Sequence, residues 1–200
     1  MRRPAIRRRI RPMRQGSLDG LCGVYAIVNV MRYLAPEIDA DRATELFAAM
    51  MRARHEQALR RPLAFVYRGL GRRSLIALTG AAIDHVARTA GIEIEAEWLA
   101  PAKLKRSSLP TIWRSLSANI GPSCAVIVGL GGRTSHWTCV VDITSRQMRL
   151  FDNDGMSVLR RDQCTPRPDG RHYDIESHYV LFVRRRPRRR ATSSLIELLV

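Results

Sequence analysis

The chain has 200 residues, 46% of them hydrophobic and 26% charged, which suits one domain with a buried core and excludes a large multidomain protein. Lysine and arginine outnumber aspartate and glutamate by 34 to 18. The resulting net charge of +16 by itself suggests a nucleic-acid-binding protein, so the position of the charge along the chain has to be examined.

Most of the positive charge lies at the two ends of the chain. Residues 1–14 contain seven arginines and no acid, residues 184–190 contain six arginines, and together they hold 13 of the 16 net charges. Residues 15–183 carry 21 basic and 17 acidic side chains. We therefore predict a basic leader without regular structure at 1–14, a single nearly neutral domain at 15–183, and an arginine-rich tail at 184–200. The two ends could bind nucleic acid or another polyanion in a salt-sensitive, sequence-independent manner.

The four cysteines have no C-x-x-C pair and no regular spacing, which argues against a disulfide framework or a zinc site. Arginines interrupt every apolar stretch near the N-terminus that could serve as a secretory signal, and no run reaches the roughly 18 apolar residues of a membrane helix. We expect a cytoplasmic protein with no membrane span, no metal and no cofactor.

Four helices are predicted where apolar residues recur at three- and four-residue spacing. Their predicted ranges are 22–34, 39 or 41 to about 59, 74–90, and 109 or 110 to 119. Pro36 ends the first helix, Gly91 ends the third, and residues 62–73 are predicted to form a loop.

Five short runs predict strands, because they are β-branched, aromatic or alternating and are bounded by turn residues. Their predicted ranges are 92–98, 124–130, 136–143, 148–151 and 178–183. Since the helices come first and most strands come later, the expected fold class is α+β, with a helical part packed on an antiparallel sheet.

A cysteine stands at the predicted start of the first helix. It lies in the segment Gln15-Gly16-Ser17-Leu18-Asp19-Gly20-Leu21-Cys22-Gly23. Unpaired backbone N–H groups and the helix dipole stabilise a thiolate at that position, so Cys22 is a candidate nucleophile. Gly20 and Gly23 would let backbone and substrate approach it closely.

A histidine and a group of hydrogen-bond acceptors lie on two neighbouring predicted strands. His136 is the first residue of one strand, and the next strand ends in Asp152, Asn153 and Asp154. Because consecutive strands lie side by side, His136 can face Asp152, with Asn153 or Asp154 as alternatives for orienting the imidazole. Nucleophile, base and orienter would then form one catalytic group.

Gln15, a Cys22-Gly23 pair that opens a helix, a distant strand histidine and a following aspartate make the sequence similar to the papain-like cysteine peptidase superfamily. Within it, the pairing of His136 with Asp152 most resembles the bacteriocin-leader-processing peptidases and their stand-alone relatives. The resemblance covers residues 15 to about 155. It implies a papain-like fold in which Gln15 donates to the oxyanion, Cys22 attacks a carbonyl, His136 exchanges the proton and Asp152 orients His136.

The resemblance also implies a peptide or protein substrate, with Gly20, Gly23 and Trp137 as candidate substrate-binding residues. We therefore expect a hydrolase that cleaves peptide or isopeptide bonds. Transglutaminase-like or other acyltransferase chemistry remains open, because it uses the same groups. A catalytically silent scaffold whose arginine-rich ends bind a polyanion is the alternative outside enzymes.

Two departures from the papain pattern weaken parts of this assignment. Six residues separate Gln15 from Cys22, one more than is usual in papain, so the oxyanion role of Gln15 is less secure than the role of Cys22. The run Asp19-Gly20-Leu21-Cys22 also resembles the ovarian-tumour-type deubiquitinases, in which His178 beside Tyr179 would be the catalytic imidazole. We favour His136 because no acceptor comparable to Asp152 follows His178.

Overall fold

A computed structural model describes residues 11–15, 20–57, 64–99 and 107–187. In these ranges the helices are α1 (Cys22–Leu34), α2 (Ala40–Gln57), α3 (Ala64–Arg68), α4 (Arg72–Ala90) and α5 (Leu109–Asn119). The strands are β1 (Ile94–Trp98), β2 (Cys124–Gly132), β3 (His136–Ile143), β4 (Gln147–Leu150), β5 (Val158–Arg160), β6 (Cys164–Thr165) and β7 (Tyr173–Arg185). The helix-then-strand order confirms the predicted α+β class.

The described strands form one sheet in the order β1-β7-β2-β3-β4-β5, with β6 paired to β7. All pairs are antiparallel except β6 with β7. In the β3–β4 pair Ile143 lies opposite Met148 and Val140 opposite Leu150. The end of β4 therefore points toward the start of β3, so that the residues after Leu150 reach the same end of the sheet as His136.

Helices cover both faces of the sheet, so the domain has three layers. On one face α1, α2 and α4 pack against residues such as Ile127, Cys139 and Leu181. On the other face α5 packs against residues such as Val126, Val140 and Phe182. This alternation along each strand follows from the two-residue side-chain period of extended backbone.

Helix α1 lies at the centre of the larger core. Eleven of its 13 residues are buried, so the helix is covered on nearly all sides rather than on the one face expected from its apolar spacing. The predicted bounds of α1 are confirmed. The end of α4 is confirmed as well, because Gly91 has the left-handed φ of 62° that ends helices.

The structure corrects the connection predicted at 62–73. It contains α3 and the first residues of α4, which begins at Arg72. Leu70, between the two helices, is buried, and its carbonyl accepts a hydrogen bond of 2.7 Å from the Trp137 indole N–H. This tertiary contact holds the segment in place, and no local sequence pattern predicts it. The predicted end of the second helix near residue 59 lies outside the described residues.

The strands differ most from the prediction in the C-terminal part of the chain. The sequence does not predict the short strands β5 and β6, because two or three residues are too few to show an alternating hydrophobic pattern. Strand β7 begins at Tyr173 rather than at the predicted residue 178. The prediction missed its first half because that half is rich in polar residues. Its pairing with β2 also shifts register between Val128 and Leu130. It also ends at Arg185, two residues beyond the predicted domain boundary at 183.

The described part of the predicted leader contacts the domain. The side-chain amide of Asn29 accepts from the Met13 N–H at 2.8 Å and donates to the Met13 carbonyl at 3.1 Å. Arg32 donates to the Arg11 carbonyl at 2.7 Å. Residues 11–13 are thereby attached to α1. Residues 1–10 and 188–200, which make up most of the two predicted ends, lie outside the described residues.

Candidate active site

Cys22 is the first residue of α1 and is 7% exposed. Leu21 occupies the N-cap position, and no side chain caps the helix there. The first N–H groups of a helix have no acceptor within the helix, and together with the helix dipole they favour negative charge at this end. Cys22 thus lies at the positive end of the α1 dipole.

His136 and Asp152 meet at the end of the sheet that faces the start of α1. The Nε2 atom of His136 lies 2.7 Å from Oδ1 of Asp152, and the two residues are 8% and 2% exposed. The β3–β4 register explains the contact. Phe151 N–H donates to the Cys139 carbonyl at 2.8 Å, which continues the ladder beyond β4 and brings the next residue level with the start of β3.

The second oxygen of Asp152 is held by the backbone. Oδ2 accepts from the Asp154 N–H at 2.8 Å and from the Met156 N–H at 3.1 Å. Burial raises the pKa of Asp152, but hydrogen bonds such as those from His136 and the Asp154 amide outweigh burial and leave that pKa below its usual value. The carboxylate is therefore charged and fixed in orientation.

The imidazole of His136 interacts with Cys22 as well as with Asp152. Burial lowers the pKa of His136, but hydrogen bonds to Asp152 and Cys22 and the charges of both groups raise it to about 9. Because Nε2 is engaged by Asp152, Nδ1 is the nitrogen left for the thiol. At neutral pH the arrangement favours an imidazolium between a carboxylate and a sulfur.

Asn153 was an alternative candidate for orienting the imidazole. Within the described residues its side chain makes no hydrogen bond to His136. Its side-chain Nδ2 donates to the Cys22 carbonyl at 2.8 Å, and its own carbonyl accepts from the Gln15 N–H at 2.9 Å. Sequence reasoning missed this link between the strand end and the start of α1. The available signal was its position, directly after an acid at the end of a strand.

Gln15 is brought to the same place by that backbone hydrogen bond. It is partly buried, next to the residue that follows Asp152. Residues 16–19, which connect Gln15 to the start of α1, lie outside the described residues. Gln15, Cys22, His136 and Asp152, far apart in sequence, therefore converge on one end of the sheet.

Gly20 and Gly23, predicted to allow close approach of backbone and substrate, both pack against the segment that leads into α4. A Cβ atom at Gly20 would lie 2.8 Å from the Gly69 nitrogen. A Cβ atom at Gly23 would lie 3.0 Å from Leu70 Cδ1 and 3.1 Å from Leu75 Cδ1. Both glycines permit the close approach of the segment before α4 to the start of α1.

Trp137, the third residue predicted to bind substrate, has the environment of a core side chain. It is 7% exposed and donates its indole N–H to the Leu70 carbonyl. Its ring centroid lies 5.8 Å from that of Tyr179 and 6.4 Å from that of Trp98. These contacts account for the residue without a substrate.

His178, the alternative imidazole, belongs to a different cluster. Its Nε2 lies 3.3 Å from an oxygen of Glu176, and its backbone carbonyl accepts from Arg72 at 2.8 Å. The imidazole recorded beside Cys22 is that of His136. The ovarian-tumour-type assignment of His178 therefore has no support in this geometry.

The other three cysteines differ from Cys22 in their surroundings. Burial raises the pKa of Cys124, of Cys139 and of Cys164, the last to about 12. None of the four cysteines forms a disulfide in the described structure. Cys22 alone among them is placed beside a histidine.

The structure is thus an α+β protein in which Cys22 begins a helix near the buried His136–Asp152 pair at one end of the sheet. No protein-family model and no curated protein matches the sequence. The chain is similar to the crystal structure of the Pseudomonas avirulence protein AvrPphB, at 13% identity and a TM-score of 0.37. The similarity spans 82% of this chain and 89% of that one. At this level of similarity the residues have to be assigned from their own geometry.

None of the helices within the described ranges is both long and apolar enough to cross a membrane.

Proposed function

We propose that the protein is a cysteine-nucleophile hydrolase that cleaves peptide or isopeptide bonds. The observation that carries the proposal is the buried 2.7 Å contact between His136 and Asp152, which lies beside Cys22 at the N-terminus of α1. A thiol, an imidazole and a carboxylate in contact are the components of nucleophilic acyl transfer.

In the proposed reaction the Cys22 sulfur, whose proton is held by the His136 imidazolium, attacks the substrate carbonyl carbon. The tetrahedral intermediate collapses as His136 returns the proton to the leaving amine, which breaks the C–N bond and leaves an acyl-thioester on Cys22. His136 then takes a proton from water, the hydroxide attacks the thioester, and the acid product and the thiol are released. Asp152 stays ionised throughout and holds the imidazole through Nε2.

Two donors are assigned to the oxyanion. The first is the backbone N–H of Cys22, which as the first residue of the helix has no acceptor within it. The second is the side-chain amide of Gln15, whose backbone is held next to Asp152 by the Asn153 carbonyl. Donors aimed at the developing negative charge stabilise the transition state more than the substrate.

The decisive experiment is covalent labelling at pH 6–7 with an electrophilic peptide probe, with each site mapped by mass spectrometry. We expect Cys22 to be labelled in the wild type and labelling to disappear in Cys22→Ala. Cys164→Ala is the matched control, because Cys164 is also buried, at 8% exposed, but its pKa is raised to about 12. Equal labelling of wild type and Cys22→Ala would refute the proposal.

The type of acyl acceptor is tested in parallel with wild type and Cys22→Ala. Peptide, isopeptide and glutamine-donor substrates are compared, the last in the presence of a primary amine. Hydrolysis of the first or second class supports a peptidase or isopeptidase. Incorporation of the amine without hydrolysis would replace the hydrolase by an acyltransferase that uses the same residues.

A further inference from the structure

Asn153 is a deeply buried polar side chain at the candidate site outside the residues assigned to the reaction. It is 1% exposed. Nδ2 donates to the Cys22 carbonyl at 2.8 Å and lies 3.5 Å from the Trp137 carbonyl, a longer and weaker contact. One side chain thus joins the first residue of α1 to the residue after His136.

The covalent neighbours of Asn153 complete the link. Asn153 is bonded to Asp152, which contacts the imidazole of His136 at 2.7 Å. Any shift of the strand end relative to α1 would therefore change the distance between the Cys22 sulfur and the imidazole. The Asn153 side chain makes a direct hydrogen bond between the end of this strand and the start of α1.

The orientation of the amide follows from its surroundings. Both groups that it faces are carbonyl oxygens, which only accept, so the NH₂ end has to point toward them. The opposite end, Oδ1, is buried without a hydrogen-bond partner in the described structure. A buried acceptor without a partner destabilises the folded state.

The hydrogen bond to Cys22 offsets little of this destabilisation. As a residue of α1, Cys22 already offers its carbonyl to the helical hydrogen-bond ladder, so no acceptor would be left without a partner if Asn153 were absent. A buried side chain that leaves one acceptor without a partner and bonds to the backbone of the nucleophile is better explained by the reaction than by stability.

We propose that Asn153 is a positioning residue, which holds the start of α1 at the distance from β3 and β4 that the Cys22–His136 pair requires. The inference rests on the proposed function, since it concerns the same pair. Asn153 touches neither the substrate nor the reacting atoms and acts through the Cys22 backbone.

The test measures the rate of Cys22 alkylation by iodoacetamide in the full chain at pH 6 and at pH 10. At pH 6 the rate depends on the imidazolium beside the sulfur, whereas at about pH 10 an ordinary cysteine is ionised without help. We expect Asn153→Ala to lose about ten- to a hundredfold at pH 6, as for a misplacement of about 1 Å, and to keep the wild-type rate at pH 10. The pH 6 to pH 10 rate ratio separates positioning from a general change in access.

Two further variants sharpen the comparison. Asn153→Asp keeps the size of the side chain but turns an oxygen toward the Cys22 carbonyl, so its ratio should fall at least as far. Asn29→Ala is the matched control, because Asn29 is also a fully buried asparagine that bonds to backbone, at Met13. It should keep the wild-type ratio. If Asn153→Ala unfolds at the assay temperature, Asn153→Ser, which retains one donor, should give an intermediate ratio.

The outcomes separate the two proposals. A lower ratio in the Asn153 variants with a wild-type ratio in Asn29→Ala supports positioning. A wild-type ratio in the Asn153 variants, or an equal loss in Asn29→Ala, overturns the positioning role and leaves the hydrolase proposal intact. If Cys22 in the native wild type reacts at pH 6 no faster than in the denatured chain, both proposals are refuted.

Discussion

Three side chains at the candidate site have unusual surroundings, each for a local physical reason. Cys22 lies at a helix N-terminus, His136 lies beside both the Asp152 carboxylate and Cys22, and Asp152 accepts two backbone N–H bonds as well as the imidazole. Burial works against the charged forms of both His136 and Asp152, and the mutual contacts overcome it. The charged form of His136 and the charged form of Asp152 therefore each depend on the other residue.

That dependence predicts how stability varies with pH. The pKa of His136 is about 9 in the folded chain and about 6.5 in an unfolded one, so the folded state binds an extra proton between these values. The stabilisation is complete below pH 6.5 and is lost as pH rises through 9, where the free energy of unfolding should have dropped by about 3 kcal/mol. Urea unfolding from pH 6 to 9.5 measures the drop.

Asp152→Asn provides the comparison, because it removes the carboxylate that raises the pKa of His136. The pH-dependent drop in the free energy of unfolding should shrink in this variant, and turnover should fall by about 10²- to 10⁴-fold. A drop as large as that of the wild type would contradict the assigned role of the carboxylate.

At the scale of elements, the start of α1 is held by its close fit to the segment that leads into α4. Gly23 has Leu70 and Leu75 against its open side, and Gly20 donates its backbone N–H to the Val66 carbonyl. The strand register supplies the other half of the site by bringing the end of β4 to the start of β3. The site therefore forms where a helix and two strands meet, and no single element contains all of its residues.

The two glycines Gly23 and Gly80 form a matched pair that tests this packing. A Cβ atom at Gly23 would lie about 3 Å from two leucine side chains, whereas one at Gly80, within α4, would meet nothing within 4 Å. We expect Gly23→Ala to destabilise the protein by about 1–3 kcal/mol through overpacking. Gly80→Ala should stabilise it by about 0.5–1 kcal/mol through helix propensity. Thermal unfolding of the two variants measures both changes, and similar shifts would exclude the packing explanation.

At the scale of the whole molecule, part of the C-terminal arginine run belongs to the domain. Arg184, Arg185 and Arg186 lie within 4 Å of the carboxylates of Glu97, Glu37 and Glu95, respectively. Their charges are therefore already compensated. Any attraction for a polyanion has to come mainly from the arginines beyond them and from those at the N-terminus.

Changing Arg188, Arg189 and Arg190 to glutamine tests that attraction. If these side chains contact phosphates, the slope of log affinity against log salt for duplex DNA should become shallower by about 2 to 3. The matched control changes the exposed Arg52, Arg88 and Arg114, which lie on three different helices and carry the same total charge. Equal effects of the two triple variants would mean that overall charge, not the tail, drives binding.

Local sequence patterns determined much of the architecture. The bounds of α1 and β3, the end of α4 and the α+β class followed from apolar spacing, proline and glycine punctuation and strand composition. The same patterns put Cys22 at a helix start, His136 at a strand start and Asp152 after a strand end. These positions depend on a few neighbouring residues, which is why a single sequence was enough to predict them.

How those positions meet depends on the tertiary structure. It distinguished Asp152 from Asn153, turned Asn153 toward Cys22, placed His178 against Glu176, and filled the space beside Gly20 and Gly23 with protein. Each of these contacts joins segments whose relative placement depends on strand register and on packing between layers. No local pattern encodes that placement, so the sequence predicted which groups the site contains and the fold decided which atoms touch.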